Sequence, residues 1–297
     1  MSSIESIKVD HLVGTQVGTS TIVKELARGG MAIVFIAFQT TLKRQIAVKI
    51  LPKSLLTPNS AKLFQQEAES AAILSHPSII QIYEVGETEE FLFFTMQLIK
   101  GNPLSKIMST AKKNIIPSKR TLPLQTTLQI FIQILDALDY AHNQEIIHRD
   151  IKPCNIMIEK HTQRPIITDF GVAKVLRGEE SGKPLIQGTP LYMPPEQILG
   201  RELDGRADIY ATGTMLFEML VPELPIPKFK SNIEMLKTKV LNKNGMFQKK
   251  PSELRADLNG DMDLILQKAL AHDANNRYTT CREFIEALEQ YRSNDLT

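Results

Sequence analysis

Apolar and polar positions change their period about a third of the way along the chain. From residue 21 to about residue 98 the pattern is mostly strand-like. Residues 21–25 and 33–38 flank a Gly-Gly pair, which predicts a hairpin with the glycines in its turn. Residues 45–50 are another short β-branched run, expected to stop at Pro52. Between residues 61 and 74 the spacing turns helical, with Leu63, Phe64, Ala68, Ala71 and Ala72 recurring at three and four residues. Two further strands are predicted at 79–85 and 91–98.

After Gly101 the pattern is predominantly helical. Leu124, Leu128, Phe131, Ile132, Leu135 and Leu138 form one apolar face over several turns. Residues 209–220 are apolar nearly all round, the signature of a helix buried inside a lobe. Further helices are predicted at 264–270 and 284–291. Residues 109–123, with Lys112, Lys113, Lys119 and Arg120, read as a solvated basic loop, with a docking patch for an acidic partner as the alternative. A strand-rich first third before a helical remainder predicts an α+β fold of two lobes, with a site between them as the default expectation.

Composition narrows the class. A hydrophobic fraction of 42% and a charged fraction of 23% over 297 residues exclude wholesale disorder and leave room for two lobes. Lys and Arg number 35 against 33 Asp and Glu, a balance that makes no case for a nucleic-acid or membrane-surface partner. Cys154 and Cys281 are too few for a disulfide framework or a four-cysteine zinc site. The first residues lack a signal-peptide pattern and no stretch suits a membrane helix, so the chain reads as soluble and cytoplasmic.

The chemistry concentrates in His148-Arg149-Asp150-Ile151-Lys152-Pro153-Cys154-Asn155. This matches H-R-D-x-K-P-x-N at six specified positions, a coincidence of roughly one in tens of millions per start position. Here the sequence resembles the eukaryotic-like, bacterial-type Ser/Thr protein kinases. The resemblance implies an extension over 1–19, a kinase domain over 20–292 (N-lobe 20–97, C-lobe 98–292) and a tail over 293–297. It also implies the bilobal α+β kinase fold: an N-lobe antiparallel sheet with one helix, and a mainly helical C-lobe. The residue types suit phosphoryl transfer. Asp150 is expected to orient the acceptor hydroxyl and take its proton, Lys152 to neutralise the γ-phosphate, and Asn155 to offer a neutral oxygen to Mg²⁺. Asp169-Phe170-Gly171 resembles the family's metal-binding motif, with Asp169 the second Mg²⁺ ligand.

Upstream, Ile46-Ala47-Val48-Lys49 resembles the V-A-I-K strand, with Glu67 in register to pair with Lys49 at the ATP phosphates. The glycine loop departs from the G-x-G-x-x-G pattern. It reads Ala27-Arg28-Gly29-Gly30-Met31-Ala32, so Ala27 and Ala32 replace two glycines, and a stiffer lid with weaker ATP affinity is expected. The adenine pocket is expected from Leu26, Val34 and Ala47 above and Met157 below, with Met96 behind and backbone groups from Gln97 to Ile99 as the hinge.

Residues 188–196 resemble the segment that holds a peptide acceptor. Thr189 is expected near the catalytic groups, Glu196 in a pair with Arg277, and Asp208 as the anchor of the catalytic loop's backbone. That segment favours a protein substrate over a small-molecule phosphotransferase. The full set of Lys49, Glu67, Asp150, Asn155 and Asp169 favours an enzyme over a nucleotide-holding scaffold. Arg149 and Ser181 are the candidate regulatory pair, with Glu179 and Glu180 as a built-in substitute for a phosphate. The implied activity is transfer of the ATP γ-phosphoryl group to Ser or Thr of proteins, with Mg²⁺, or Mn²⁺ as the alternative. Dimerisation through the N-lobe is left open. Residues 257–263 begin like a calcium loop, but Met262 stands at the turn glycine and Lys268 at the twelfth position. Their carboxylates therefore belong to the start of a helix near Leu264.

Overall fold

The computed structural model describes residues 10–28, 32–53, 61, 65, 68–69, 72–170, 190–243 and 245–294. Contacts gather the chain into two units: Met1–Lys100 with Phe170–Gln187, and Gly101–Asp169 with Gly188–Thr297.

The first unit is built on a six-stranded antiparallel sheet in the order β1-β2-β3-β4-β6-β5. Its strands are β1 (Gln16–Val17), β2 (Ser20–Arg28), β3 (Ile33–Gln39), β4 (Arg44–Pro52), β5 (Ile82–Glu87) and β6 (Phe91–Met96). β6 lies between β4 and β5 and is buried at every position, which its Phe-Leu-Phe-Phe-Thr-Met sequence suits. Leu12 and Val17 join Ile22, Phe35, Val48 and Phe93 in the core of this unit, so residues ahead of 20 contribute to it. Two expectations need correction. β4 does not stop short of Pro52 but includes it, paired with Phe91. Among the described residues, pairing with β3 runs only to Ile50, and β6 carries the strand on through the proline. The strand expected from residue 79 begins only at Ile82, after a turn in which Ile79 N–H donates to His76 O. In the predicted helix, Ala61, Gln65, Ala68, Glu69 and Ala72 are helical.

The second unit opens with a three-stranded sheet, β7 (Gly101–Pro103), β8 (Ile156–Glu159) and β9 (Pro165–Ile167). The helices are α1 (Leu104–Lys112), α2 (Leu124–His142), α3 (Pro195–Ile198), α4 (Arg206–Leu220), α5 (Asn232–Leu241), α6 (Gly260–Ala269) and α7 (Cys281–Asn294). In α2 the buried stripe runs Leu124, Leu128, Phe131, Ile134, Leu135, Leu138, with Ile134 in place of the expected Ile132. This stripe packs against α4 and α7. α4 is buried almost all round, and Gly213 lets α6 approach closely: a Cβ there would stand 2.9 Å from Ala269 Cβ. Part of the expected basic loop is helical, since Ser109 to Lys112 end α1 and Pro117–Lys119 form a 3-10 turn. α6 starts at Gly260, four residues before the expected Leu264. Asn259 Oδ1 accepts from the N–H groups of Asp261 and Met262 and so caps the helix earlier.

Candidate active site

α2 ends at His142, and the chain runs on to β8 through the segment that carries Asp150. Asp208, in the first turn of α4 and 1% exposed, holds this segment by its backbone. Its Oδ2 accepts from His148 N–H at 2.9 Å and its Oδ1 from Arg149 N–H at 2.8 Å. His142 Nε2 donates to Oδ2 at 2.8 Å. Burial alone would raise the Asp208 pKa. The hydrogen bond from His142, the two imidazoles and the backbone N–H of His148 outweigh it and hold the carboxyl below its ordinary value.

Arg149 sits at φ +68°, so the chain turns sharply at the residue before Asp150. Its carbonyl accepts from Gln197 Nε2 at 2.9 Å, while its buried Nε has no hydrogen-bond partner among the described residues. His148 is wholly buried. Its Nδ1 accepts from Asp150 N–H at 3.2 Å, which leaves Nε2–H to donate to Thr168 O at 2.9 Å. One imidazole thus ties the Asp150 loop to the residue before Asp169. Asp169 itself is at φ +62°.

The Asp150 carboxylate is held from two sides. Lys152 Nζ is 2.8 Å from Oδ2, and Asn155 Nδ2 donates to Oδ2 at 3.1 Å and to the Asp150 carbonyl at 2.9 Å. Burial works against the charge on Lys152, but Asp150, with Asp169 adding to it, holds its pKa above the ordinary lysine value. Lys152 is therefore a fixed cation beside a fixed carboxylate. Asn155 is anchored by its backbone, its carbonyl accepting from Thr168 N–H at 2.8 Å and Thr168 Oγ1 at 3.1 Å. Because Nδ2 is committed to Asp150, the amide presents Oδ1 as an acceptor.

In the first unit the antiparallel register sets Val34 opposite Lys49, Lys49 opposite Phe94, and Ala47 opposite Met96. Alternation then puts Val34, Ala47, Lys49 and Met96 on one face of the sheet. Lys49 Nζ stands 5.7 Å from the centre of the Phe94 ring. Leu26 is 49% exposed, at the bulge between Glu25 and Ala27. Gln97 N–H is donated to Gln81 O at 2.9 Å, and Ile99 is half-buried beyond it. In the second unit Met157 is half-buried on β8. Ala27 pairs in register with Val34 and has no positive φ. Position 27 therefore does not demand glycine's backbone freedom. Gly29, Gly30, Glu67, Ser181 and Thr189 lie outside the described residues.

Three features near the site were not foreseen from sequence. Cys281 Sγ lies 3.7 Å from His142 Nδ1, extending the Asp208 cluster. Tyr192 donates to Glu218 Oε2 at 2.5 Å, and Glu218 Oε1 meets Lys112 at 2.9 Å. Lys239 is buried beneath the segment that follows Thr189. Its only sequence signal is its spacing, four residues after the buried Met235 on a face where an apolar residue belongs.

The protein kinase domain family matches residues 20–290. The chain belongs to that family. A kinase chain from Streptomyces coelicolor, probable serine/threonine-protein kinase SCO3848, is 35% identical over 87% of this chain and 37% of its own length. Tyrosine-protein kinase MasK of Myxococcus xanthus is 33% identical over 94% of this chain and 44% of its own. The crystal structure of the Mycobacterium tuberculosis PknI kinase domain superposes with a TM-score of 0.72 at 26% identity, covering 94% of this chain and 98% of that one. The chain thus spans less than half the length of these curated relatives. It is a bacterial-type, eukaryotic-like kinase chain with the family's fold, an antiparallel-sheet N-lobe and a helical C-lobe. Membership of the protein kinase family implies use of ATP and a divalent metal. No helix among the described residues is long and apolar enough to cross a membrane.

Proposed function

We propose that this chain transfers the γ-phosphoryl group of ATP to serine and threonine hydroxyls of protein substrates. The observation that carries the reading is the Asp150 carboxylate, clamped by Lys152 at 2.8 Å and Asn155 at 3.1 Å on a loop tied down by Asp208. A carboxylate so placed can orient a hydroxyl and accept its proton as the O–P bond forms, while the adjacent ammonium offsets charge on the moving phosphoryl group. Lys49 and Glu67 are assigned to the α- and β-phosphates. Leu26, Ala27, Gly29, Gly30, Ala32, Val34, Ala47, Met96, Gln97, Ile99 and Met157 are assigned to the nucleotide.

Asn155 and Asp169 are the residues that would hold the metal. Their donor set fits a hard cation: an amide oxygen that accepts a long, weak hydrogen bond from Cys154 Sγ at 3.6 Å, and a carboxylate. Bound there, Mg²⁺ supplies charge neutralisation at the phosphates, and Mn²⁺ suits the same oxygens. Residues 190–196, with Thr189, form the acceptor platform, and Arg149 with Ser181 the regulatory pair.

Incubation with labelled ATP, Mg²⁺ and a generic basic protein, followed by phosphoamino-acid analysis, tests the reading. Phosphoserine and phosphothreonine are expected. A product pool dominated by phosphotyrosine would move the assignment toward the activity in MasK's name, and no transfer at all would refute it.

A further inference from the structure

Lys239 lies in the third turn of α5 and is only 2% exposed. Its ammonium points at the backbone of one short segment, donating to Pro190 O at 3.2 Å, to Leu191 O, and to Met193 O at 2.7 Å. An ammonium carries three N–H donors and no acceptor, so three converging carbonyls satisfy it in full. The ammonium also lies over the Tyr210 ring, with Nζ 5.0 Å from its centre. Burying a lysine is costly, and an apolar residue of the same length would fill the space on a helix face already holding Met235. The lysine's distinctive contribution is to gather three carbonyls of one short segment, of which Pro190 O also accepts from Met193 N–H at 3.3 Å.

Resting on the kinase reading above, we propose that Lys239 is a positioning residue for the protein acceptor. Its ammonium fixes the Pro190–Met193 backbone, and with it the surface on which the acceptor chain lies. The same segment is held from its other side by Tyr192 on Glu218, so its conformation depends on two side-chain anchors. Loss of the Lys239 anchor should weaken acceptor binding and leave nucleotide binding alone.

The protonation state supplies a readout that bulk packing would not. Burial pushes Lys239 down to about 7, with Arg277 pushing the same way and Glu196 opposing. Also on the packed elements are Glu234 and Lys237 of α5, Arg206, Asp208 and Glu218 of α4, Tyr192 and Tyr210, both held neutral by burial, and His272, whose Nε2 bonds Val240 O at 3.0 Å. A neutral amine has two N–H groups for three carbonyls, so one of the three hydrogen bonds from Lys239 is lost as pH rises past that value.

The test compares wild type with Lys239→Met, which keeps the stem and removes the donors. KM for a generic basic protein acceptor and KM for ATP are measured between about pH 6.5 and 9. We expect acceptor KM in the variant to be raised about fivefold or more at pH 6.5, with ATP KM within about twofold. Wild-type acceptor KM should climb with pH, and the variant's should stay flat. His272 is common to both proteins, so the difference between the profiles belongs to Lys239. Unchanged acceptor KM in an active variant, or equal rises in both KM values, would overturn the inference while leaving the kinase reading intact. If Lys239→Met does not fold, the wild-type profile decides: an acceptor KM that is flat with pH rejects the proposal. Absence of transfer by wild type would instead reject the kinase reading itself.

Discussion

Arg277 grips Glu196 through both ends of its guanidinium, with Nη1–Oε1 at 2.6 Å and Nη2–Oε2 at 2.9 Å. The two residues are 81 positions apart, and the arginine side chain is 0% exposed. Its remaining donors reach the carbonyls of Ala271, Arg206 and His272. Removing one partner of such a pair leaves a buried charge uncompensated. Arg277→Met is therefore expected to lower stability by about 3–5 kcal/mol, and Glu196→Gln by less, because the amide still offers one acceptor. Urea unfolding followed by circular dichroism checks both. A cost below about 1 kcal/mol for Arg277→Met would mean that the pair contributes little.

Asp150→Asn preserves shape and removes the proton acceptor. Turnover should fall by about two to four orders of magnitude, with ATP affinity within about threefold. Steady-state kinetics and nucleotide titration separate the two effects, and near-normal turnover would remove Asp150 from the chemistry.

Asp208→Asn would turn an amide N–H₂ or a weaker acceptor toward donors that now meet a carboxylate. A loss of about 2–3 kcal/mol at neutral pH is expected. The sign of the pH dependence follows from the lowered native pKa. The stabilisation is fully present above the unfolded carboxyl value of about 3.9, and is lost as pH falls through the native value. The gap between wild type and variant should thus be constant at about pH 5–7 and close below about pH 4. A gap that widens toward acid would contradict the assignment.

Ala27→Gly, restoring the usual glycine pattern there, should change ATP KM by less than about threefold. Ala27 sits in the β2–β3 ladder opposite Val34, where an alanine costs nothing and a glycine adds only unneeded freedom. A tenfold fall in ATP KM would show that the alanine does restrict the loop.

Gly213→Leu is expected to destabilise the second unit by more than 2 kcal/mol, because even a Cβ would stand 2.9 Å from Ala269 Cβ. Gly213→Ala should cost much less, since the gain in helix propensity of about 1 kcal/mol offsets part of the crowding. Thermal melts of the two variants give the comparison.

The sequence alone determined the strand-then-helix order, the buried α4 and the catalytic motif, because periodicity and short motifs are local. Residues 148–155 identify the chemistry since their roles depend on residue type at close spacing along one loop. The Glu196–Arg277 and Asp208 relationships were legible only through the family resemblance, as nothing local links positions so far apart. Tertiary structure alone decided that Pro52 stays in β4, because pairing with Phe91 of β6 carries the strand through the proline. It also decided that Ile134 and not Ile132 faces the core, since a broad apolar helix face does not fix its rotation against its neighbours. Only the fold shows that Lys239 is buried: three carbonyls from residues more than 45 positions away satisfy it, and no pattern within α5 encodes those partners.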